Sequence, residues 1–308
     1  MLTRFGLRFD RLDRLATELQ AYIRRYDVRI GRDRGSWVLR LPGRPPYPWH
    51  APRLRVRLRR HPPGSNLGEA AETAALDFVL DRSGPQVFYD IGASRGYFAH
   101  IAAMRPDKVS AVHAFDLAPA DIAAIRNTAK SLGLCGITAH QSGLGRRHLG
   151  EADIWVARTR MFDRKPTEAE IREPWPIRAK LALTGRRDKI RPQHHRVLRD
   201  SIDAFAARHP PPPGVIKMDI DGFEAEALPG GMETFRAHRP VILLEIHRAR
   251  FYLRFGVTRA DILRPLFDLG YSALFLEHRT RHRRVEVLPV GPDHALLSRE
   301  RTDFLVLV

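Results

Sequence analysis

Three stretches of this chain gather groups that could do chemistry. The first is Val87-Phe88-Tyr89-Asp90-Ile91-Gly92-Ala93-Ser94-Arg95-Gly96-Tyr97-Phe98. Its apolar, β-branched and aromatic start suits a central parallel strand. Gly92 and Gly96 would let the backbone turn and approach a ligand. A helix opening near Tyr97 would aim its unpaired N–H groups at that ligand. The spacing D-x-G-x-x-x-G is not the dinucleotide fingerprint, because Ser94 stands where a glycine is required. The second stretch, Val215-Ile216-Lys217-Met218-Asp219-Ile220-Asp221-Gly222-Phe223-Glu224, is a strand ending in three acids around a glycine. The third, Val241-Ile242-Leu243-Leu244-Glu245-Ile246-His247, is an apolar strand with Glu245 and His247 at its carboxyl end.

Such groups suit removal of a proton from a weak nucleophile. Asp219, Asp221, Glu224, Glu245 and His247 are the base candidates, and histidine has the most suitable intrinsic pKa. A structural role for His247, bonded to Glu224 or Glu245, is the competing reading. Lys217 could hold these carboxylates ionised. The acids could instead hold Mg²⁺, but Asp219-x-Asp221-Gly222 lacks the remaining ligands of a calcium loop, and no metal is expected.

These strands need helices between them. Residues 68–82 and 97–105 read as helices, Val109–Phe115 as a second strand ended by Asp116, and Pro119 opens a further helix to about 132. An acid at the end of the strand after a glycine loop is placed to grip a ribose diol, which makes Asp116 a binding candidate. Ile137–Gln141 is a third strand, followed by Ser142-Gly143. After the acidic motifs come a helix at about 258–269 and strands at 271–276 and 304–308. Alternating strands and helices imply an α/β, doubly wound, mostly parallel sheet. Residues 146–200 are rich in arginine and poor in periodicity, and read as an insertion near the ligand edge, a lid or substrate-selecting segment. His194 and His195 read as exposed loop residues there.

Ahead of residue 67 the composition changes. Residues 1–66 hold 16 arginines against 5 acids, whereas the rest holds 36 basic against 30 acidic residues, so the net charge of +17 is concentrated at the start. A helical stripe runs over 7–26, a hairpin over 28–41 and a proline-rich linker over 42–52. Arg53-Leu54-Arg55-Val56-Arg57-Leu58-Arg59 alternates as a strand with four arginines on one face, which could meet an anionic partner. The division expected is a basic extension over 1–66 and a main domain over 67–308. Cys135 is the single cysteine, which excludes an intrachain disulfide and agrees with a cytoplasmic setting. No apolar run approaches the roughly 18 residues of a membrane span.

The three motifs together, with Asp203 in Ser-Ile-Asp-Ala-Phe and with Leu269-Gly270-Tyr271, resemble the FkbM-type methyltransferases over residues 67–308. The middle motif follows I-K-[IM]-D-[IV]-E-G-x-E, with Asp221 in the usual glutamate position. Asp116 likewise replaces a more usual glutamate. The resemblance implies a seven-stranded Rossmann-like sheet with its last strand antiparallel, and S-adenosylmethionine (SAM) as cofactor at the carboxyl ends of the strands. It implies binding by Asp90, Gly92, Ala93, Ser94, Gly96, Tyr97, Asp116, Ser142, Gly143 and Asp219. The reaction implied is O-methylation of a glycan, lipid-linked saccharide or secondary metabolite, with Lys217, Asp219, Glu224, Glu245 and His247 as catalytic groups. The alternative is RNA binding or RNA methylation through the basic start. A near-neutral core and the lack of an aromatic–basic RNA motif argue against nucleic acid; an oligomer stays open.

Overall fold

The computed structural model describes residues 12–48, 70–157, 160–162, 164–172, 175, 191–279 and 284–308. The arginine row at 53–59, on which the nucleic-acid reading rests, lies outside the described residues, as do the rest of the linker beyond 48 and residues 176–190 of the insertion.

The amphipathic stripe near the start forms a helix over Leu12–Arg25, with Ala16, Leu19 and Ile23 buried. It precedes a small antiparallel sheet of β1 (Arg29–Asp33), β2 (Ser36–Arg40) and β3 (Tyr47–Pro48). The turn between β1 and β2 is two residues long, with Arg34 and Gly35 both at positive φ, which matches the right-handed twist of a hairpin. The described part of the proline-rich linker is thus partly strand. The first helix packs on the helix Ala70–Asp81, and the loop between β2 and β3 reaches that helix through Arg44. Arg44 and Asp77 form an ion pair there whose side chains are 0% and 2% exposed, and the Tyr26 hydroxyl donates to the same carboxylate.

Among the described residues eleven strands make the main sheet, in the order β13-β12-β14-β11-β10-β4-β5-β6-β9-β7-β8. Seven of them are the expected core. β4 (Gln86–Ile91), β5 (Val109–Asp116), β6 (Ile137–Leu144), β10 (Pro213–Met218) and β11 (Val241–Ile246) run parallel. β14 (Asp303–Leu307) is antiparallel to both neighbours, β11 and β12 (Ala273–Arg279). The expected count of seven is too low by four. β13 (Arg284–Val290) adds a hairpin to β12 at one edge. At the other edge the insertion supplies β7 (Gly150–Ala157), β8 (Arg160–Phe162) and β9 (Gln193–Asp200). His194 and His195 therefore lie on a strand, not in a loop. Their strand was hidden because Gln-His-His-Arg-Val-Leu-Arg-Asp shows the polar alternation of an edge strand rather than an apolar run.

Alternate residues of the central strands feed two cores. Phe88, Val112, Val215 and Leu243 pack with the helices Leu12–Arg25, Ala70–Asp81, Tyr97–Ala103 and Pro119–Ser131. Val87, Tyr89, Ile216 and Leu244 pack against the other face with Ile202–Arg208, Met232–His238 and Arg259–Asp268. Helices on both faces follow from strands apolar on both faces. Among the described residues no helix is long and apolar enough to cross a membrane.

Candidate functional site

The site lies where the chain leaves β4, β5, β6 and β10 at their carboxyl ends. A cavity of about 330 Å³ opens there, lined by Ile91, Gly92, Ser94, Phe115, Asp116, Leu117, Ala118, Asp121, Ser142, Gly143, Leu144, Val156, Asp219, Ile220, Asp221 and Phe223. That volume is in the range that holds a small molecule.

The glycine turn is built by backbone pairing. Gly92 and Ala93 both donate to the Phe115 carbonyl, at 3.0 and 2.9 Å. Gly92 has φ +79, and a Cβ on it would lie 1.9 Å from the Asp219 carbonyl oxygen. Glycine is therefore demanded at this position by the close passage of the two acidic loops. Ser94 holds a left-handed φ of 50 without being glycine. Its N–H donates to Asp116 Oδ2 at 2.8 Å, and the Ala118 N–H donates to Oδ1 at 3.0 Å. Each Asp116 oxygen so takes a backbone N–H, and the Leu117 N–H also acts on the carboxylate. Burial raises the pKa of Asp116 against those hydrogen bonds.

Asp90 is wholly buried. Its Oδ2 accepts the Ala99 N–H at 2.9 Å, while Oδ1 has no hydrogen-bond partner among the described residues. Burial pushes its pKa up to about 6, although Lys217 and the Ala99 N–H pull the other way. Gly96, Ala93 and Tyr97 are not part of the cavity wall. A Cβ on Gly96 would lie 2.7 Å from His100 Cε1, and the Tyr97 hydroxyl bonds Thr73 at 3.0 Å. Ser142 Oγ donates to the Leu198 carbonyl at 2.9 Å, which ties β6 to the insertion.

The acidic motif and the end of β11 meet as one network. Lys217 Nζ is 3.5 Å from Asp219 Oδ2. His247 Nε2 is 3.3 Å from Asp221 Oδ1 and 3.6 Å from Asp219 Oδ1, and its Nδ1 is 3.2 Å from Glu224 Oε1. Glu224, with no exposed surface, also accepts from the Ile220 N–H at 3.2 Å and from the Tyr252 hydroxyl at 3.1 Å. Tyr252 in turn accepts the His247 N–H at 2.8 Å. Only Asp219 and Asp221 of this network face the cavity. Lys217, Glu224, Glu245 and His247 stand behind them.

Charge within the network is unevenly shared. Burial opposes a proton on His247, but its contacts with Asp221 and Glu224 outweigh burial and lift its pKa to about 11. Burial and the charge of Asp219 push Glu245 up to about 8. Burial works against ionised Asp219 too, yet Lys217 and His247 hold its pKa below the ordinary value. At neutral pH the network thus carries an imidazolium and a protonated Glu245 beside ionised Asp219. Asp219, Glu245 and His247 bring one donor atom each to within 4.8 Å of one another, a spacing a divalent cation could use. Lys217 and His247 already supply positive charge at that point.

Asp121, Phe223 and Tyr252 were missed from the sequence. Asp121 sits in the first turn of the helix Pro119–Ser131, where an acid reads as helix-dipole complement. Tyr252 follows β11 in an irregular segment with no periodicity to flag it.

The profile of the family described as "Methyltransferase FkbM domain" matches residues 90–273. No curated protein matches the chain. Among solved structures, methyltransferase FkbM from Methylobacillus flagellatus KT is 17% identical, with a TM-score of 0.40 over 72% of this chain and 43% of that one. The chain thus spans less than half the length of that protein. Precorrin-6y C5,15-methyltransferase from Geobacter metallireducens GS-15 is 11% identical, with a TM-score of 0.39 over 78% and 90%. M. jannaschii TYW2, solved in complex with AdoMet, is 10% identical, with a TM-score of 0.36 over 91% and 84%.

Proposed function

Because the chain belongs to the FkbM methyltransferase family, we propose that it takes a methyl group from SAM and places it on a hydroxyl of a glycan, lipid-linked saccharide or secondary metabolite. The observation that carries this reading is the acid-lined cavity at the strand ends, with Asp116 on one wall and Asp219 and Asp221 on another. When bound, SAM supplies an electrophilic methyl on a cationic sulfur.

The residues present suit that cofactor. Asp90 keeps an unmet, wholly buried carboxylate oxygen beside the glycine turn, and a cationic aminoacyl end would offset the cost of burying it. Asp90, Gly92 and Ser94 would hold that end, with Ala93 fixing the turn through Phe115, and Asp219 would close it from the neighbouring loop. Gly96 and Tyr97 would act by fixing the start of the helix. The Asp116 carboxylate on the cavity wall suits a ribose diol, and Ser142 and Gly143 would flank the base.

The chemistry asked of the protein is positioning and proton removal. Asp221 faces the cavity and is held at φ 52, a strained setting for a non-glycine residue. It is the group we place at the acceptor hydroxyl. His247, as an imidazolium between Asp221 and Glu224, orients Asp221 rather than taking the proton. Glu224 fixes the ring of His247 at Nδ1, while Tyr252 holds Glu224 and the backbone of His247. Lys217 and Glu245 keep Asp219 ionised.

The test is calorimetric titration with S-adenosylhomocysteine of the wild type and an Asp116→Ala variant. Removing a charged hydrogen-bond acceptor costs about 1.5–3 kcal/mol, so affinity should fall by roughly 10- to 150-fold. A folded wild type that does not bind would overturn the cofactor assignment.

A further inference from the structure

A fully buried histidine that the methyl-transfer scheme leaves unused stands between the glycine turn and the helix that follows Asp116. His100 lies on the helix Tyr97–Ala103 and has no exposed surface. Its Nε2 is 2.9 Å from the Ile125 carbonyl of the helix Pro119–Ser131. A carbonyl only accepts, so Nε2 carries the proton. Burial lowers the pKa of the ring against the pull of that hydrogen bond, so the imidazole is neutral and Nδ1 offers a lone pair. The Tyr47 hydroxyl, 3.1 Å away, donates to it. Tyr47 comes from β3, in the small sheet ahead of residue 67, and its ring meets Tyr97 edge-on at 5.5 Å. Arg44, in the loop before β3, adds a second tie to the same helix, from Nε to the Ile101 carbonyl at 3.1 Å. His100 bears on both sides of the cavity. A Cβ on Gly96 would lie 2.7 Å from His100 Cε1 and 2.8 Å from Ile125 Cγ1, so both residues pack against the end of the glycine turn. The residue before His100, Ala99, gives its N–H to Asp90. The helix held through Ile125 starts beside Ala118, whose N–H binds Asp116, and it carries Asp121 to the cavity wall.

We propose that Tyr47 is a positioning residue. By fixing the ring and tautomer of His100 it holds the glycine turn and the Asp116 wall in register, which makes the segment ahead of residue 67 a working part of the site. A neutral imidazole can carry its proton on either nitrogen. A donor at Nδ1 leaves only the tautomer that can donate to Ile125. Without that donor the proton can move to Nδ1, Nε2 then faces the Ile125 carbonyl with a lone pair, and the tie between the two helices is broken. Calling these walls the cofactor's rests on the methyl-transfer reading; their coupling to Tyr47 does not.

The experiment compares the full chain as wild type, Tyr47→Phe and Tyr22→Phe. Tyr47→Phe keeps the packed ring and removes the donor. Tyr22→Phe is the control, because it removes a hydroxyl of the same N-terminal segment that bonds Asp81 at 2.7 Å rather than His100. Two readouts are taken at a temperature where circular dichroism shows all three folded. One is S-adenosylhomocysteine affinity by calorimetry, and the other is amide hydrogen exchange by mass spectrometry without ligand, which reports local opening. In Tyr47→Phe the affinity should fall about three- to tenfold, the effect of one neutral hydrogen bond. Peptides covering 92–99 and 116–121 should exchange faster. Tyr22→Phe should match the wild type in both readouts. Unchanged exchange of these two segments in Tyr47→Phe overturns the proposal, and so does an equal change in Tyr22→Phe, which would mark a general loosening. Faster exchange with unchanged affinity overturns it too, because the pin would then serve the fold and not the site. If the wild type fails to bind S-adenosylhomocysteine while exchange still responds to Tyr47→Phe alone, the cofactor reading falls and the coupling stands.

Discussion

Replacing His247 by glutamine should remove a pH dependence of stability that the wild type shows in mild alkali. The ring is 6% exposed and is placed between carboxylates of Asp221 and Glu224, which raise its pKa from 6.5 to about 11 despite burial. A histidine whose folded pKa is raised stabilises the fold fully below its unfolded pKa. That contribution is lost as the pH climbs toward the folded value. Each pH unit inside that window is worth about 1.4 kcal/mol, and the whole shift about 6 kcal/mol as an upper bound. The cleanest interval is pH 8.5 to 9.5. Glu245, the other raised group of the network, titrates at about 8 and lies below it. Urea unfolding followed by circular dichroism should show the wild type losing about 1.4 kcal/mol across that one unit, with no change in m-value. His247→Gln should be flat over the same interval. A flat wild type, or an equal fall in the variant, would refute the argument that His247 is an imidazolium at neutral pH, and with it the choice of Asp221 over His247 as proton acceptor.

Asp90→Asn should test the buried charge beside the glycine turn. Because burial raises this acid from 3.8 to about 6, the wild type should lose stability as the pH rises through 4 to 6, by at most about 3 kcal/mol; urea unfolding of the variant should lack that fall, while its S-adenosylhomocysteine affinity drops. Gly92→Ala should unfold the site, because its Cβ would lie 1.9 Å from the Asp219 carbonyl oxygen, adding a backbone clash to the ~1–2 kcal/mol of a left-handed alanine; a thermal midpoint within 2–3 °C of the wild type, roughly 1 kcal/mol or less, would contradict the close passage. Asp77→Ala should cost about 3–5 kcal/mol in urea unfolding, since it strands the fully buried Arg44. A loss below about 1 kcal/mol, the size of an exposed pair, would mean that Arg44 reaches water.

The parallel core was legible because its strands are apolar on both faces and its helices carry a 3.6-residue stripe. Val87–Ile91, Val215–Met218 and Val241–Ile246 therefore stood out, and so did the acids at their ends. Those signals depend only on neighbours in the chain. β8, β9 and β13 were missed because they lie at or near the sheet edges, where one face meets water and polar residues are tolerated.

By itself the sequence determined which chemical groups the site has to work with: the glycine turn, Asp116 one strand later, and the acids and histidine that close β10 and β11. Only the tertiary structure decided their states and partners. It set Asp219 and Asp221 on the cavity wall and left Glu224, Glu245, His247 and Lys217 behind them. His247 has the intrinsic pKa of a base, yet the segment 219–224 after β10 folds three carboxylates around it and keeps it charged. Gly92 lines the cavity as a ligand turn would, and it also gives clearance to the Asp219 carbonyl, which no sequence pattern showed. Arg199 and Arg254, 55 positions apart in sequence, each lie 5.9 Å from the Phe223 ring centre, Arg199 because β9 joins the sheet beside β6. Proximity of this kind depends on strand order and burial, and neither is a property of residues adjacent in the chain.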